Sequence, residues 1–188
     1  MIKKNILHFA PELGGGGVEK NLFLIANYFS TKFQKVSVIS VSTKYKNKFN
    51  KNVEFISPVN KFWIGIKNRR LKIIISLFLL VKYYFDNPKF TVLSFNGNLY
   101  CCLICKILGI KVILRSNASI TGWSKGFFRH FFYKNISKMA DKIIVNSLEF
   151  KVEYKKKFDI KTHCIYNPLN KREIIKKSKK KIVFPFFK

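Results

Sequence analysis

Short apolar runs and amphipathic stretches take turns along the whole chain. Residues 5–10 form an apolar run that ends in Pro11 and the glycines Gly14 to Gly17, after which Val18, Leu22, Ile25, Ala26 and Phe29 recur at the helical period. The order is strand, glycine loop, helix. Val36–Val41 is rich in β-branched residues between polar flanks and predicts a second strand, with Val53–Ile56 a short third. The opening of the chain therefore reads as a β-α-β unit with an added strand.

Lys67–Phe85 predicts a long helix stopped by Asp86-Asn87-Pro88, and Phe90–Phe95 an apolar strand closed by Asn96-Gly97-Asn98. Leu99–Leu108 returns to helix with Gly109 as its C-cap, and Val112–Leu114 is a strand that runs into Arg115-Ser116-Asn117. Trp123–Met139 is a basic, aromatic helix, Lys142–Val145 a strand, Ser147–Phe158 a helix and His163–Tyr166 a last strand before Asn167-Pro168. Alternation of this kind demands an α/β fold, a Rossmann-like and mostly parallel sheet with helices on both faces. A chain of 188 residues suffices for one full-sized domain. Its expected span is 1–175, leaving 176–188 as a tail in which a Lys run precedes Ile182-Val183-Phe184-Pro185-Phe186-Phe187, the start of a further strand with no sheet of its own.

Hydrophobic residues make up 48% of the chain, which excludes disorder and puts the charge on the surface of a folded body. That charge is +28, a field that attracts phosphates in nucleic acid, anionic lipid or a sugar nucleotide. Only five of the 37 basic residues are Arg, whereas base-edge readers lean on Arg forks. Cys101, Cys102 and Cys105 fit neither a zinc-knuckle spacing nor a disulfide framework and read as buried apolar residues of a helix; no metal site is expected. Lys3 and Lys4 precede too short an apolar run for a signal peptide, so a cytoplasmic location is expected. The longest apolar stretch, Ile73–Val81, is half a membrane span.

In an open parallel sheet ligands bind beyond the carboxyl ends of the strands. After the first strand, Gly15, Gly16 and Gly17 with Glu19 open a helix whose free N–H groups suit an anion; a mere flexible turn is the alternative. The loop lacks the Gly-Lys-Ser/Thr of a Walker motif, and no ribose-binding acid ends the second strand. The other strand ends supply Asn96, Arg115, Asn117, Asn146, Ser147 and Asn167. Each suits a turn or cap by itself, but together they offer amides and hydroxyls for sugar hydroxyls and an Arg for a phosphate, with no carboxylate pair for hydrolysis. His8 and His163 read as core or edge residues, and His130 stays open.

Gly16-Gly17-Val18-Glu19 opening a helix resembles the GGxE loop of family 4 glycosyltransferases. Met139-Ala140-Asp141-Lys142-Ile143-Ile144-Val145-Asn146-Ser147 and Ile165-Tyr166-Asn167-Pro168-Leu169 are similar to two later segments of that family, in the same order and at similar spacing, over roughly residues 4 to 172. The resemblance implies the N-terminal, acceptor-side half of a GT-B enzyme: a hexosyltransferase-like protein that moves sugar from a nucleoside diphosphate sugar to a glycan or lipid-linked acceptor in cell-surface polysaccharide synthesis. Retention and no cofactor or essential metal are implied as well. The family's second domain carries an acid pair and the basic residues that hold the donor diphosphate. This sequence ends before such a region, so the chain is expected to need a donor-binding domain or chain and to be inactive alone. Arg115-Ser116-Asn117 stands where many members have a His, and no catalytic His is assigned.

Lys67, Arg69, Arg70 and Lys72 before an Ile and Leu run, and Phe127, Phe128, Phe131, Phe132 and Tyr133 among Lys125, Arg129 and Lys134, suit either an anionic membrane interface or core helices with solvated basic faces. The first option places the protein at the inner face of the cell membrane. The competing functional reading is a non-catalytic basic α/β domain that binds a membrane surface or nucleic acid. No nucleic-acid-binding signature accompanies the charge, and no nucleic-acid partner is expected.

Overall fold

The computed structural model describes residues 2–87, 89–120, 126–169 and 171–178. Seven strands, β1 (Ile2–Phe9), β2 (Phe33–Ile39), β3 (Val53–Ile56), β4 (Thr91–Ser94), β5 (Lys111–Ser116), β6 (Lys142–Val145) and β7 (His163–Cys164), form one sheet in the order β3-β2-β1-β4-β5-β6-β7. Every pairing is parallel. Between them run α1 (Gly17–Phe29), α2 (Lys61–Ile64), α3 (Arg69–Asp86), α4 (Asn98–Ile107), α5 (Phe127–Met139) and α6 (Leu148–Phe158), with α7 (Lys171–Ser178) after β7. The fold is the Rossmann-like α/β architecture that the alternating pattern demands. The expected extra strand in 182–187 and the start of the aromatic helix at Trp123 lie outside the described residues.

Two cores flank the sheet. On one face Leu22 and Ala26 of α1 pack over Val36, Val38, Leu93 and Phe95. On the other, Leu80 and Tyr83 of α3, the three cysteines of α4 and Tyr154 and Phe158 of α6 cover Leu7, Phe9, Val92, Val112 and Val145. The cysteines are buried as apolar residues, and burial raises the Cys101 thiol pKa and pushes that of Cys102 up to about 11. Both thiols are therefore protonated and inert at neutral pH.

Local chemistry sets the helix ends. The Asn68 side chain caps α3 by accepting from the Arg70 N–H at 2.9 Å, and Ser147 caps α6 by accepting from the Phe150 N–H at 3.2 Å. Gly97 takes a left-handed φ of 69°, which turns β4 directly into α4. At the far end of the sheet the Asp141 carboxylate accepts from the Val112 N–H at 2.8 Å and from Lys106 Nζ at 2.6 Å, fastening β5 to the start of β6. Those bonds hold the Asp141 pKa below its ordinary value despite partial desolvation. Asp141 is thus a structural clip, about one strand length from the ligand edge.

Candidate functional site

The strand order reverses beside β1: the chain moves from β1 outward to β2 and β3, then crosses back to β4 on the other side. Such a switch point leaves a crevice beyond the carboxyl ends of the two central strands. Two hollows of about 330 and 250 Å³ lie there, and they share Arg69, Ile73, Asn96 and Gly97 in their walls. They form one cleft between the β1 loop, the end of β4, the end of β5 and the first turn of α3.

Of the residues singled out from sequence, Asn96, Arg115 and Asn117 line the larger hollow and Glu19 the smaller. Asn167 reaches the same group from beyond β7, because its side-chain oxygen accepts from Arg115 Nη2 at 2.8 Å. Asn146 ends β6 with its side-chain oxygen buried and unpartnered among the described residues, outside the cleft wall. Ser147 is a helix cap. Gly15, Gly16 and Gly17 do not line the cleft, although their neighbour Gly14 does.

The glycine loop is shaped by two side chains. Gly15 has a φ of +81°, and a Cβ there would lie 2.6 Å from the Tyr45 hydroxyl oxygen, so the tyrosine ring rests directly on the loop. Gly16 has an ordinary φ of −76°, but a Cβ would meet Glu19 Oε2 at 3.0 Å. The Glu19 carboxylate thus lies against the N-terminus of α1 and supplies the negative charge which that end of the helix favours. Gly15 is the position that cannot carry a side chain. Gly15→Ala is expected to cost about 2 kcal/mol, a Tm drop of roughly 4–8 °C. In a Tyr45→Ala background the cost should fall to about 1 kcal/mol, because only the backbone strain remains. Equal costs in both backgrounds would mean that the ring yields freely.

Several site residues are invisible in the sequence pattern. Lys72 is buried, and its ammonium pairs with Glu12 Oε1 at 2.6 Å, pinning the β1 loop to α3. Asn98 donates from its amide to the Arg115 carbonyl at 2.9 Å and accepts from the Ser94 hydroxyl at 2.8 Å, so it joins the ends of β4 and β5. Glu153 of α6 accepts from the Ser119 hydroxyl at 2.9 Å and from the Ile120 N–H at 3.1 Å, holding the loop that carries Asn117. Among the described residues no group of three or more His, Cys, Asp or Glu side chains is arranged to hold a metal ion.

Arg115 is the charged centre of this arrangement. It is 3% exposed, lies with its Cζ 5.8 Å from the Phe95 ring centroid, and keeps a buried, unpartnered Nε. Burial lowers its pKa from the ordinary value.

No family model and no curated protein matches the sequence. Solved structures do match the fold. Anabaena Alr3699/HepE in complex with UDP and glucose matches at a TM-score of 0.62 and 14% identity, over 87% of this chain and 44% of that one. A glycosyltransferase from Rickettsia africae matches at 0.59 and 17% identity, over 93% of this chain and 48% of that one. Acinetobacter baumannii MurG matches at 0.55 and 16% identity, over 87% and 45%. The fold is that of a domain of GT-B glycosyltransferases, and the chain spans somewhat under half the length of these structures.

Proposed function

We propose that this chain is the acceptor-side domain of a family 4-type glycosyltransferase, transferring a hexose-like sugar from a nucleoside diphosphate sugar to a glycan or lipid-linked acceptor at an anionic membrane surface. The switch-point cleft carries this reading. Its wall combines the neutral amides of Asn96 and Asn117, which match sugar hydroxyls as donors and acceptors, with Arg69, Arg70 and Arg115, which match phosphate. The complexes of HepE with UDP, with UDP and glucose, and with UDP-glucose support a nucleotide-sugar partner for this fold. In this reading residues 1–175 form the domain and the following residues lead toward a donor-binding domain.

In this reading a donor-binding domain would complete the cleft from outside these residues. Transfer needs the departing diphosphate neutralised by groups aimed at it, which this reading assigns largely to a donor-binding domain. The chain by itself is therefore expected to transfer nothing, and to gain activity when a donor-binding domain is supplied as a second chain or in a longer reading frame. Radiolabelled sugar transfer to lipid-linked acceptors, run over a panel of nucleotide sugars with and without that domain, is the measurement. Robust turnover by these residues alone would place the whole donor site within them and overturn the two-domain reading.

The membrane element of the proposal rests on three neighbouring helices. The buried stripe of α3 includes Lys72 and Ser76, whereas its outward stripe is Leu71, Ile74, Phe78 and Phe85. Tyr100, Leu103 and Ile107 continue this surface on α4, which packs beside both α3 and α5. On α5, Phe127, Phe128, Phe131 and Phe132 face outward, with Phe128 77% exposed. The exposure of these four rings supports the interfacial reading, while Tyr133 of the same helix packs on the core against Phe158. Asp86 is the one acid in these three helices, so the apolar surface is framed by Lys and Arg, the complement of anionic headgroups. Among the described residues no helix is long and apolar enough to cross a membrane.

A further inference from the structure

Arg115 stands in an unusual electrostatic position. A guanidinium taken out of water is costly unless a carboxylate or several acceptors compensate it. Among the described residues the single hydrogen-bond partner is the neutral oxygen of Asn167, the Nε has no acceptor, and no carboxylate lies within ion-pair distance. Beside the cleft the ion pair among the described residues is Lys72 with Glu12, of which Glu12 lines the smaller hollow. Two residues on, Asn117 lines the same hollow with both side-chain amide atoms buried and unpartnered among the described residues. Buried polar atoms without partners are uncommon, and a cluster of them along one cleft wall marks a place completed by something else.

Arg69 and Arg70 stand in the same wall at the first turn of α3, so the hollow presents three guanidinium groups and no acid. We propose that this hollow contains an anion subsite centred on Arg115, with Asn117 as a second ligand and Arg69 and Arg70 at its mouth, which takes a phosphate or diphosphate ester. The proposal rests on reading the cleft as the substrate site and names the group held there. Two sources share that chemistry, the diphosphate of the sugar nucleotide and the phosphate through which a lipid-linked acceptor joins its chain. The second has a structural attraction, because Ile73 and Tyr100 in the cleft wall continue into the outward apolar stripes of α3 and α4. A phosphate in the hollow would leave an attached hydrocarbon lying along that surface.

A cation kept buried for a ligand leaves a signature opposite to that of a structural residue: without the ligand it destabilises the protein. Arg115→Met, which keeps length and apolar contact with Phe95, is expected to leave the Tm of the ligand-free protein unchanged or raise it. The test is a thermal titration in phosphate-free buffer at about 0.15 M salt, where long-range attraction to the net charge is screened. Probes are inorganic phosphate, pyrophosphate, UDP, and farnesyl diphosphate with farnesol as its uncharged counterpart. Wild type should shift upward with pyrophosphate, and R115M should weaken that binding about ten- to hundredfold. Lys156→Met, which removes one exposed charge from α6, should change it less than twofold. A larger response to UDP assigns the subsite to the donor, and a larger response to farnesyl diphosphate over farnesol assigns it to the acceptor. Either result upholds it.

A pyrophosphate response equal in R115M and wild type, or equally reduced in K156M and R115M, would reduce the effect to general surface charge and overturn the proposal. So would an R115M protein that is strongly destabilised or unfolded, since Arg115 would then be a structural residue. Sugar transfer in the donor-domain assay that is indifferent to R115M would sink the subsite and leave the glycosyltransferase reading standing.

Discussion

Lowering the pH from 7 to 5 is expected to remove about 2 kcal/mol of folding stability, and a single substitution, His8→Leu, should abolish most of that loss. His8 sits in β1, fully buried between the rings of Phe29 and Phe95, whose centroids lie 5.8 and 5.7 Å away. Desolvation lowers its pKa from 6.5 to about 3. The unfolded chain therefore takes up a proton below pH 6.5 that the folded one refuses until about pH 3. Stability is complete above the upper value and falls as the pH drops, and the full gap is worth roughly 4–5 kcal/mol. At pH 7 the leucine variant should match or exceed wild type, because both ring nitrogens of His8 lack hydrogen-bond partners among the described residues. Urea midpoints at the two pH values measure the effect. Parallel acid limbs for the two proteins would move the acid sensitivity to another group.

The combined substitution Phe128→Ser, Phe132→Ser and Arg129→Glu should lower partitioning onto vesicles containing anionic lipid by well over 100-fold. The two exposed rings contribute about 3 kcal/mol if both enter the acyl boundary, and reversing one charge adds about 2 kcal/mol at an anionic surface. Neutral vesicles should register only the loss of the rings. All three residues are exposed on α5, so the fold itself should change by less than about 0.5 kcal/mol, which a melting curve checks. Flotation that is unchanged by the triple substitution would make the aromatic face a surface for another protein.

Most of the strand and helix order was legible in the sequence because parallel α/β folds write strands as β-branched runs and helices as amphipathic ones. Where the pattern misled, a loop behaved as core. Val41 lies beyond the end of β2 yet is fully buried, and its N–H donates to the Pro11 carbonyl, which ties it to the β1 loop. The expected strand Val36–Val41 was therefore displaced from the observed Phe33–Ile39. Periodicity also located α3 without telling which side faces inward. An ion pair with Glu12 lets Lys72 be the buried residue and leaves Phe78 outside, a choice made by a partner 60 residues away.

The candidate site was legible as an edge of the sheet and illegible as a set of contacts. Asn96, Arg115 and Asn117 follow from reading strand ends. The bond from Arg115 to Asn167 spans 52 positions, and no spacing rule announces it. The glycine run announced a close approach, which proves to be that of Tyr45 to Gly15. The left-handed residue is Gly15, while the helix starts from the extended Gly16.

The place of β1 in the middle of the sheet has a consequence for synthesis on the ribosome. One edge of β1 pairs with β2, close behind it, but the other waits for β4, with Leu7 meeting Val92 and Phe9 meeting Ser94. Once residue 56 has emerged, β1, β2, β3 and α1 have all they need to assemble, while Leu7 and Phe9 still border an open strand edge. At 5–20 residues per second that edge stays unpaired for about 2–8 s in each round of translation. An apolar strand left open for so long is a template for pairing between neighbouring nascent chains. Yield in the soluble fraction should therefore depend on elongation rate and on spacing between ribosomes, and should improve when translation of codons 57–94 is fast relative to initiation.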